Sequence, residues 1–291
     1  MRLLFTKMHG VGNDFVIFDA PSGAWLPEPT RLRALADRRT GIGFDQALVL
    51  QPPHRPGTAL FYRIFNADGG EVEQCRNGAR CIAALLHRRG LVRDGELTLD
   101  SPSGQVRARI GTLTAAAGTA EATATALVSV EMGVPDFDPA ALPFVAAGEA
   151  GGYALEVAGR MLEIGAVSVG NPHAVLTVPS TDSAPVGTLG PAIENHPRFP
   201  SRVNVGFLQI VTRNEVRLRV YERGAGETPG CGTGACAAVA VGRRRGLLDG
   251  EVRVLVRGGE LRVNWAGPGE SIWLTGPVEV SFEGHVEVGK P

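Results

Sequence analysis

The chain has 291 residues, 29 basic and 30 acidic side chains, a formal net charge of −1 and 44% hydrophobic residues, the profile of a soluble globular protein of one large or two ordinary domains. That balance argues against a nucleic-acid partner, which calls for a basic face. No apolar run is long enough for a membrane helix and MRLLFTKMHG does not read as a targeting segment, so a cytoplasmic protein with reduced thiols is expected.

In chain order, an apolar segment carrying Gly12-Asn13 comes first, then a strand, GFDQALVL, headed by Gly43-Phe44. An alternating strand over Tyr62 to Asn66 runs into a Gly-rich turn that ends at Cys75. Ile82, Ala83, Leu85 and Leu86 then mark a short apolar helix stopped by Gly90. LTLDSPSGQVRARI reads as two strands, and residues 111–126, low in complexity, as a mobile linker or long hairpin tip. TALVSVEMG and YALEVAGRMLEIGAVSVG are further strands, followed by Gly170-Asn171 and an irregular stretch from Pro179 to Pro191. The strand GFLQIV, headed by Gly206-Phe207, and the strand Arg217 to Glu222 lead to a second Gly-rich turn ending at Cys231. Ala237, Val239, Ala240 and Val241 form a second helix stopped by Gly246, and strands fill the remainder. The strand after Pro277 is a candidate to return to the first half.

The two halves share one pattern. Residues 62–91 overlay residues 218–247 without a gap, with identities at Arg63/Arg219, Gly70/Gly226, Glu71/Glu227, Cys75/Cys231, Gly78/Gly234, Ala79/Ala235, Ala84/Ala240 and the closing Arg-Arg-Gly-Leu. Chance would give about two matches in such a stretch. The layout predicts an α+β protein of two pseudo-symmetric domains, 1–126 and 127–276 with 277–291 joining the first, each a mixed, mainly antiparallel sheet around a central helix.

The four cysteines are too few for a disulfide framework, and Cys75-x5-Cys81 and Cys231-x4-Cys236 lack the spacing of zinc knuckles. No metal site is expected. No Gly-Lys-Ser/Thr forms a P-loop, and with Lys290 beside the C-terminus a pyridoxal Schiff base would have to use Lys7. Cys81 and Cys236 fall inside the helices among apolar neighbours, as small hydrophobes do. Cys75 and Cys231 instead stand at matched helix mouths, where free N–H groups favour a thiolate and an anion. Two such groups suit amino-acid racemisation, in which one removes the α-proton and the other returns one from the opposite face. The helix N-termini would hold the substrate carboxylate, and no cofactor is needed.

NADGGEVEQCRNGARC and ERGAGETPGCGTGAC resemble the two signature segments of the diaminopimelate epimerases, pyridoxal-independent enzymes that interconvert LL- and meso-diaminopimelate. KMHGVGNDFVIFD, GIGFDQ, GNPHAV, RVNVGF and LTGP match further family blocks in the same order. The resemblance implies two similar domains with the active site in the cleft between them, usually in a homodimer, and a place in lysine and cell-wall precursor biosynthesis. Catalysis would fall to Cys75 and Cys231, with His173 assisting thiolate formation and Glu222 accepting from an ammonium. Asn13, Gln46, Asn66, Asn171, Asn204, Glu222 and Arg223 would line the substrate pocket, Arg223 holding the distal carboxylate. Arg76-Asn77 and Gly232-Thr233 would present backbone N–H groups to the reacting carboxylate. Phe282 stands where the family often has a tyrosine near its dimer contact.

Arg76 departs from the family's usual glycine: it is tolerable if only its N–H is used and its φ is negative, whereas a side chain turned inward would lower the Cys75 pKa and alter carboxylate binding. A proline or hydroxyproline epimerase would also pair two cysteines, but its substrate has no second amino-acid head for the Asn66, Asn171, Asn204 and Arg223 set. A redox or metal-binding module would need C-x2-C, and GAGETP has Pro229 where a nucleotide-binding turn needs its third glycine.

Overall fold

The computed structural model describes residues 2–20, 25–72, 76–93, 95–111 and 126–287. Cys75 and nearly all of the low-complexity segment 111–126 therefore lie outside the described residues. The chain divides into two compact units, Met1–Val130 with Gly276–Pro291, and Glu131–Thr275.

In the first unit, β1 (Arg2–Gly10) and β2 (Asn13–Asp19) form an antiparallel hairpin that pairs Gly10 with Asn13. Its two turn residues, Val11 and Gly12, both have positive φ, 56° and 88°, as a two-residue hairpin turn matching strand twist requires. A β-branched residue is uncommon there, so the turn that sets Asn13 at the head of β2 carries strain. Helix α1 (Pro29–Ala36) crosses to β3 (Gln46–Gln51), parallel to β2, and β4 (Phe61–Asn66) returns antiparallel to β3. A short β5 (Glu71–Val72) folds back on β4, and α2 (Arg76–Arg88) follows. Then β6 (Gly95–Ser101) runs parallel to β4, with β7 (Gly104–Ile110) and β8 (Ala126–Glu131) adding antiparallel neighbours. The C-terminal strand of the chain pairs with β1 from His9↔Glu279 to Arg2↔Glu287, with a bulge at Lys7/Met8.

The second unit takes the same path. After β9 (Tyr153–Val157), the strands β10 (Arg160–Ser168) and β11 (Pro172–Thr177) form the antiparallel pair whose turn carries Gly170-Asn171. Helix α3 (Val186–Glu194) crosses to β12 (Asn204–Thr212), parallel to β11; β13 (Glu215–Glu222) returns antiparallel and β14 (Gly226–Thr228) folds back on it. Helix α4 (Gly232–Arg244) leads to β15 (Glu251–Val256), parallel to β13, then to β16 (Gly259–Trp265) and the first residues of β17 (Ile272–Glu287).

Each helix after a cysteine forms the centre of its unit. From Gly78 to Leu86 every residue of α2 is buried, and in α4 Gly232 and Gly234 to Gly242 are, the mark of a helix surrounded by sheet rather than lying on one face. The matched glycines show how closely the strands approach: a Cβ on Gly78 would stand 3.0 Å from Leu48, and one on Gly234 2.9 Å from Val220. Cys81 and Cys236 are fully buried inside these helices.

One stretch differs from its sequence reading. Pro179 to Pro191 reads as irregular, yet Val186 to Pro191 belong to α3, with Pro191 inside it. Pro185, Gly187, Gly190 and Pro191 disguise the helix because each lowers helix propensity. It forms because packing outweighs propensity: Gly190 lets α3 approach so closely that a Cβ would meet the Tyr221 ring at 2.5 Å.

Candidate active site

In the second unit the site is built around the head of α4. Cys231 is its N-cap, with extended backbone (φ −122°, ψ 116°) and its Sγ accepting from Gly234 N at 3.4 Å. The amides of Gly232 and Thr233, in the first turn, have no acceptor within the helix and lie where the helix dipole favours negative charge. Thr233 Oγ1 stands 3.4 Å from Cys231 Sγ and accepts from Asn171 Nδ2 at 3.4 Å. Asn171 Oδ1 in turn meets His173 Nε2 at 3.0 Å. One chain of contacts thus runs His173, Asn171, Thr233, Cys231.

Burial dominates the chemistry of this chain. It pushes the Cys231 thiol well above the usual thiol range, and the negative charge of Glu222 adds to it, against the weaker pull of the Thr233 hydroxyl and the Gly234 N–H. Cys231 is therefore a thiol, a proton donor, at neutral pH. His173 is fully buried on β11 and drops to about 3, through burial first and the Arg223 charge second. It is neutral, and because a carboxamide oxygen only accepts, its proton is on Nε2. Its Nδ1 is buried without a hydrogen-bond partner among the described residues.

Glu222 and Arg223 lie at the tip of the β13–β14 hairpin. Glu222 Oε1 accepts from Thr228 Oγ1 at 2.5 Å, and Arg223 NH1 donates to Ser201 O at 3.1 Å. Asn204 is 4% exposed, and both ends of its carboxamide are engaged by backbone: Nδ2 donates to Pro172 O at 2.9 Å and Oδ1 accepts from Arg223 N at 3.0 Å. It ties the hairpin tip to β11.

In the first unit, Gln46 and Asn66 are direct partners across β3 and β4, with Gln46 Nε2 donating to Asn66 Oδ1 at 2.9 Å. Asn13 Nδ2 donates to Asp45 Oδ2 at 2.9 Å. Since a carboxylate only accepts, Asn13 must turn its oxygen the other way. Arg76 opens α2, and Asn77 Oδ1 accepts from Arg80 NH2 at 2.9 Å. Lys7 is buried: its ammonium contacts Asp14 Oδ2 at 2.6 Å and donates to Gly43 O. Burial alone would raise the Asp14 carboxyl, but hydrogen bonds from Arg38 and Lys7 outweigh it and hold Asp14 below the usual range. The internal lysine is thus committed to a structural ion pair.

Phe282 on β17 is half exposed and packs edge-to-face on Phe5, with ring centroids 5.9 Å apart. Among the described residues no three His, Cys, Asp or Glu side chains gather as they would around a metal ion, and no helix is long and apolar enough to cross a membrane.

Sequence reasoning passed over Thr228, Asp45 and Glu194, each hydrogen-bonded to an expected site residue or to the loop that carries one. Asp45 lies within the GFDQ block, but its link to Asn13 comes only from the β2–β3 pairing.

The sequence model of the family described as diaminopimelate epimerase matches residues 5–135 and 165–281. The diaminopimelate epimerase of Laribacter hongkongensis is 51% identical over 288 residues, covering 98% of this chain and 99% of that protein. That of Alkalilimnicola ehrlichii is 50% identical over 290 residues, 99% and 100% of the two chains. Among solved structures, a PhzF-family phenazine biosynthesis protein of Bacillus anthracis has a TM-score of 0.67 at 17% identity, over 99% of this chain and 100% of that one. A hydroxyproline epimerase of Agrobacterium vitis has a TM-score of 0.67 at 16% identity, over 100% and 94%. These likenesses establish the two-domain, sheet-dominated α+β fold. Full-length identity near one half carries the finer assignment: the chain belongs to the diaminopimelate epimerase family of isomerases.

Proposed function

We propose that the chain interconverts LL- and meso-diaminopimelate with two thiols and no cofactor, Cys75 removing the α-proton from one face and Cys231 delivering a different proton to the other. The observation that carries this reading is the state of Cys231: a buried thiol capping a helix whose free amides point to an anion, in a chain of this family. With Cys231 holding its proton at rest, Cys75, its partner in the repeat, is the base. The Cys75 thiolate takes the α-hydrogen as a proton, and the electron pair left on the α-carbon delocalises into the substrate carboxylate. The Gly232 and Thr233 N–H groups stabilise the charge that develops there. Cys231 then delivers its proton to the opposite face and becomes the thiolate, ready for the reverse reaction.

Around this exchange, Asn13, Gln46, Asn66, Arg76, Asn77, Asn171, Glu222 and Arg223 hold the substrate, and Asn204 lines the pocket from behind them by fixing the backbone of Arg223. Arg223 takes the distal carboxylate, a match of planar donors to paired acceptors. Glu222 accepts from an ammonium, and its charge keeps Cys231 protonated until the substrate neutralises it. His173, neutral and buried, assists the thiol chemistry by fixing Asn171 rather than by carrying charge. A homodimer joined near Phe282 and a cytoplasmic location complete the reading. Incubation with LL-diaminopimelate and chiral separation of the products tests it: the meso isomer should form, and turnover of proline instead would contradict it.

A further inference from the structure

The hairpin tip that carries Arg223 is tethered by a residue outside the substrate set just named. Between Glu222 and Gly226 the loop has three residues, and all three of its amides are engaged. Ala225 N donates within the hairpin to Glu222 O at 3.1 Å, Arg223 N donates to Asn204 Oδ1 at 3.0 Å, and Gly224 N donates to Glu194 Oε1 at 2.7 Å. Glu194 is the last residue of α3 and 5% exposed, and its other contact is Arg202 NH1 at 3.4 Å. A buried carboxylate is costly unless its oxygens are hydrogen-bonded, so this one is placed where a loop amide can satisfy it. Gly224 itself is left-handed, φ 77°.

The first unit supplies an internal comparison, because the matched hairpin has the same length. There Gly69 N donates to Asn66 O at 2.9 Å, as Ala225 N does to Glu222 O. The rest of that tip is held differently: Ala67 N goes to Asp45 O at 3.1 Å, Gly70 N to Asp68 Oδ1 at 2.8 Å, and from α1 Arg33 NH1 donates to Asp68 O at 3.0 Å. Among the described residues, the helix contribution to this tip is a cation on a carbonyl rather than a buried carboxylate on an amide. The tether therefore belongs to the copy that bears Arg223.

We propose that Glu194 is a positioning residue for substrate selection: by holding Gly224 N it fixes the backbone from which Arg223 reaches the distal carboxylate. This rests on Arg223 reading that carboxylate, as proposed above. With Arg223 N and Gly224 N both occupied by buried acceptors, the loop cannot rotate its peptide planes, and only the Arg223 side chain stays free to move between Ser201 O and a ligand. Losing the tether costs binding geometry rather than proton transfer.

The test is steady-state kinetics on the full-length Glu194→Ala, Glu194→Gln and Arg223→Ala enzymes and on the Glu194→Ala/Arg223→Ala double variant. Glu194→Ala should raise KM for diaminopimelate about tenfold, the scale of one hydrogen bond to a charged group, while kcat changes by less than about threefold. Glu194→Gln, whose amide oxygen still accepts from Gly224 N, should recover most of the loss. In the Arg223→Ala background, removing Glu194 should change KM no further, because the two act as one unit. Additive effects, or equal losses in Glu194→Gln and Glu194→Ala, would overturn the proposal. If Glu194→Ala does not fold, Glu194→Gln and Glu194→Asp decide it: Gln near wild type with Asp raising KM supports the tether, and the reverse order contradicts it. Failure of Arg223→Ala to raise KM would instead overturn the role given to Arg223, whatever Glu194 does.

Discussion

Arg219 clasps Glu227 across the β13–β14 hairpin with two hydrogen bonds, Nε to Oε1 at 2.7 Å and NH2 to Oε2 at 2.9 Å. Arg63 holds Glu71 in the same two-point manner across β4 and β5, at 2.6 and 2.5 Å. Hydrogen bonds from the arginines hold both carboxyls below the usual glutamate range. The clasp is the shared device that closes the hairpin before each helix.

Glu227→Gln should therefore destabilise the protein by about 1 kcal/mol, the upper range for a partly exposed ion pair. The sign with pH follows from the lowered carboxyl: the contribution is present above the ordinary glutamate value of 4.5 and disappears as pH falls below it. Denaturant unfolding at pH 7 and pH 3 checks this; a wild-type advantage that persists undiminished at pH 3 would contradict it.

Cys81 and Cys236 are buried inside α2 and α4, whereas Cys231 caps α4 and has Cys75 as its counterpart in the sequence repeat. Replacing Cys231 or Cys75 by alanine should abolish epimerisation, whereas Cys81→Ala and Cys236→Ala should keep substantial turnover and lose about 1 kcal/mol of stability from the cavity each creates. Activity and melting measurements on all four variants separate the roles. Equal loss of turnover across the four would refute the division.

His173 should stay neutral. Its lowering to about 3 means that the ring signal in a proton NMR titration stays flat between about pH 5.5 and 8, while an ordinary histidine moves. Linkage makes the same point through stability. The unfolded ring takes up a proton near 6.5, the folded one only near 3, so the cost is absent above 6.5 and grows as pH falls between the two values. A His173 inflection near neutrality would show that the ring is charged at work.

Thr233→Val removes a hydroxyl that lowers the Cys231 thiol. Thiolate absorbance should then rise at higher pH in the variant than in the wild type, and the alkaline dependence of kcat/KM should shift upward with it. The shift reports on Cys231 only if Cys231→Ser abolishes it. A downward shift would reverse the electrostatic account.

Much of this was legible because the protein repeats itself. The matched Gly-rich turn, Cys and apolar run predict strand, hairpin and buried helix in both halves, and the head of α4 lies where Cys231 marks it. What escaped has one cause, dependence on partners distant in sequence. Pro185 and Pro191 hide α3, whose formation depends on Gly190 meeting Tyr221. Lys7 reads as the one lysine a Schiff base would have to use until Asp14 and Gly43 O are found beside it. Asn204 reads as a pocket residue, and its carboxamide also bonds Pro172 O and Arg223 N, partners that no spacing rule brings together.

The central claim, that one monoprotic thiol removes the α-proton while a second delivers its own to the opposite face, is tested most directly by starting the reaction with LL-diaminopimelate in D2O and stopping it at low conversion. The account predicts that the meso product carries deuterium at the inverted α-carbon, delivered by Cys231, while recovered LL substrate remains unlabelled there, because the proton on Cys75 returns to the face it left. Deuterium appearing equally in substrate and product from the start, or a product free of deuterium, would contradict it.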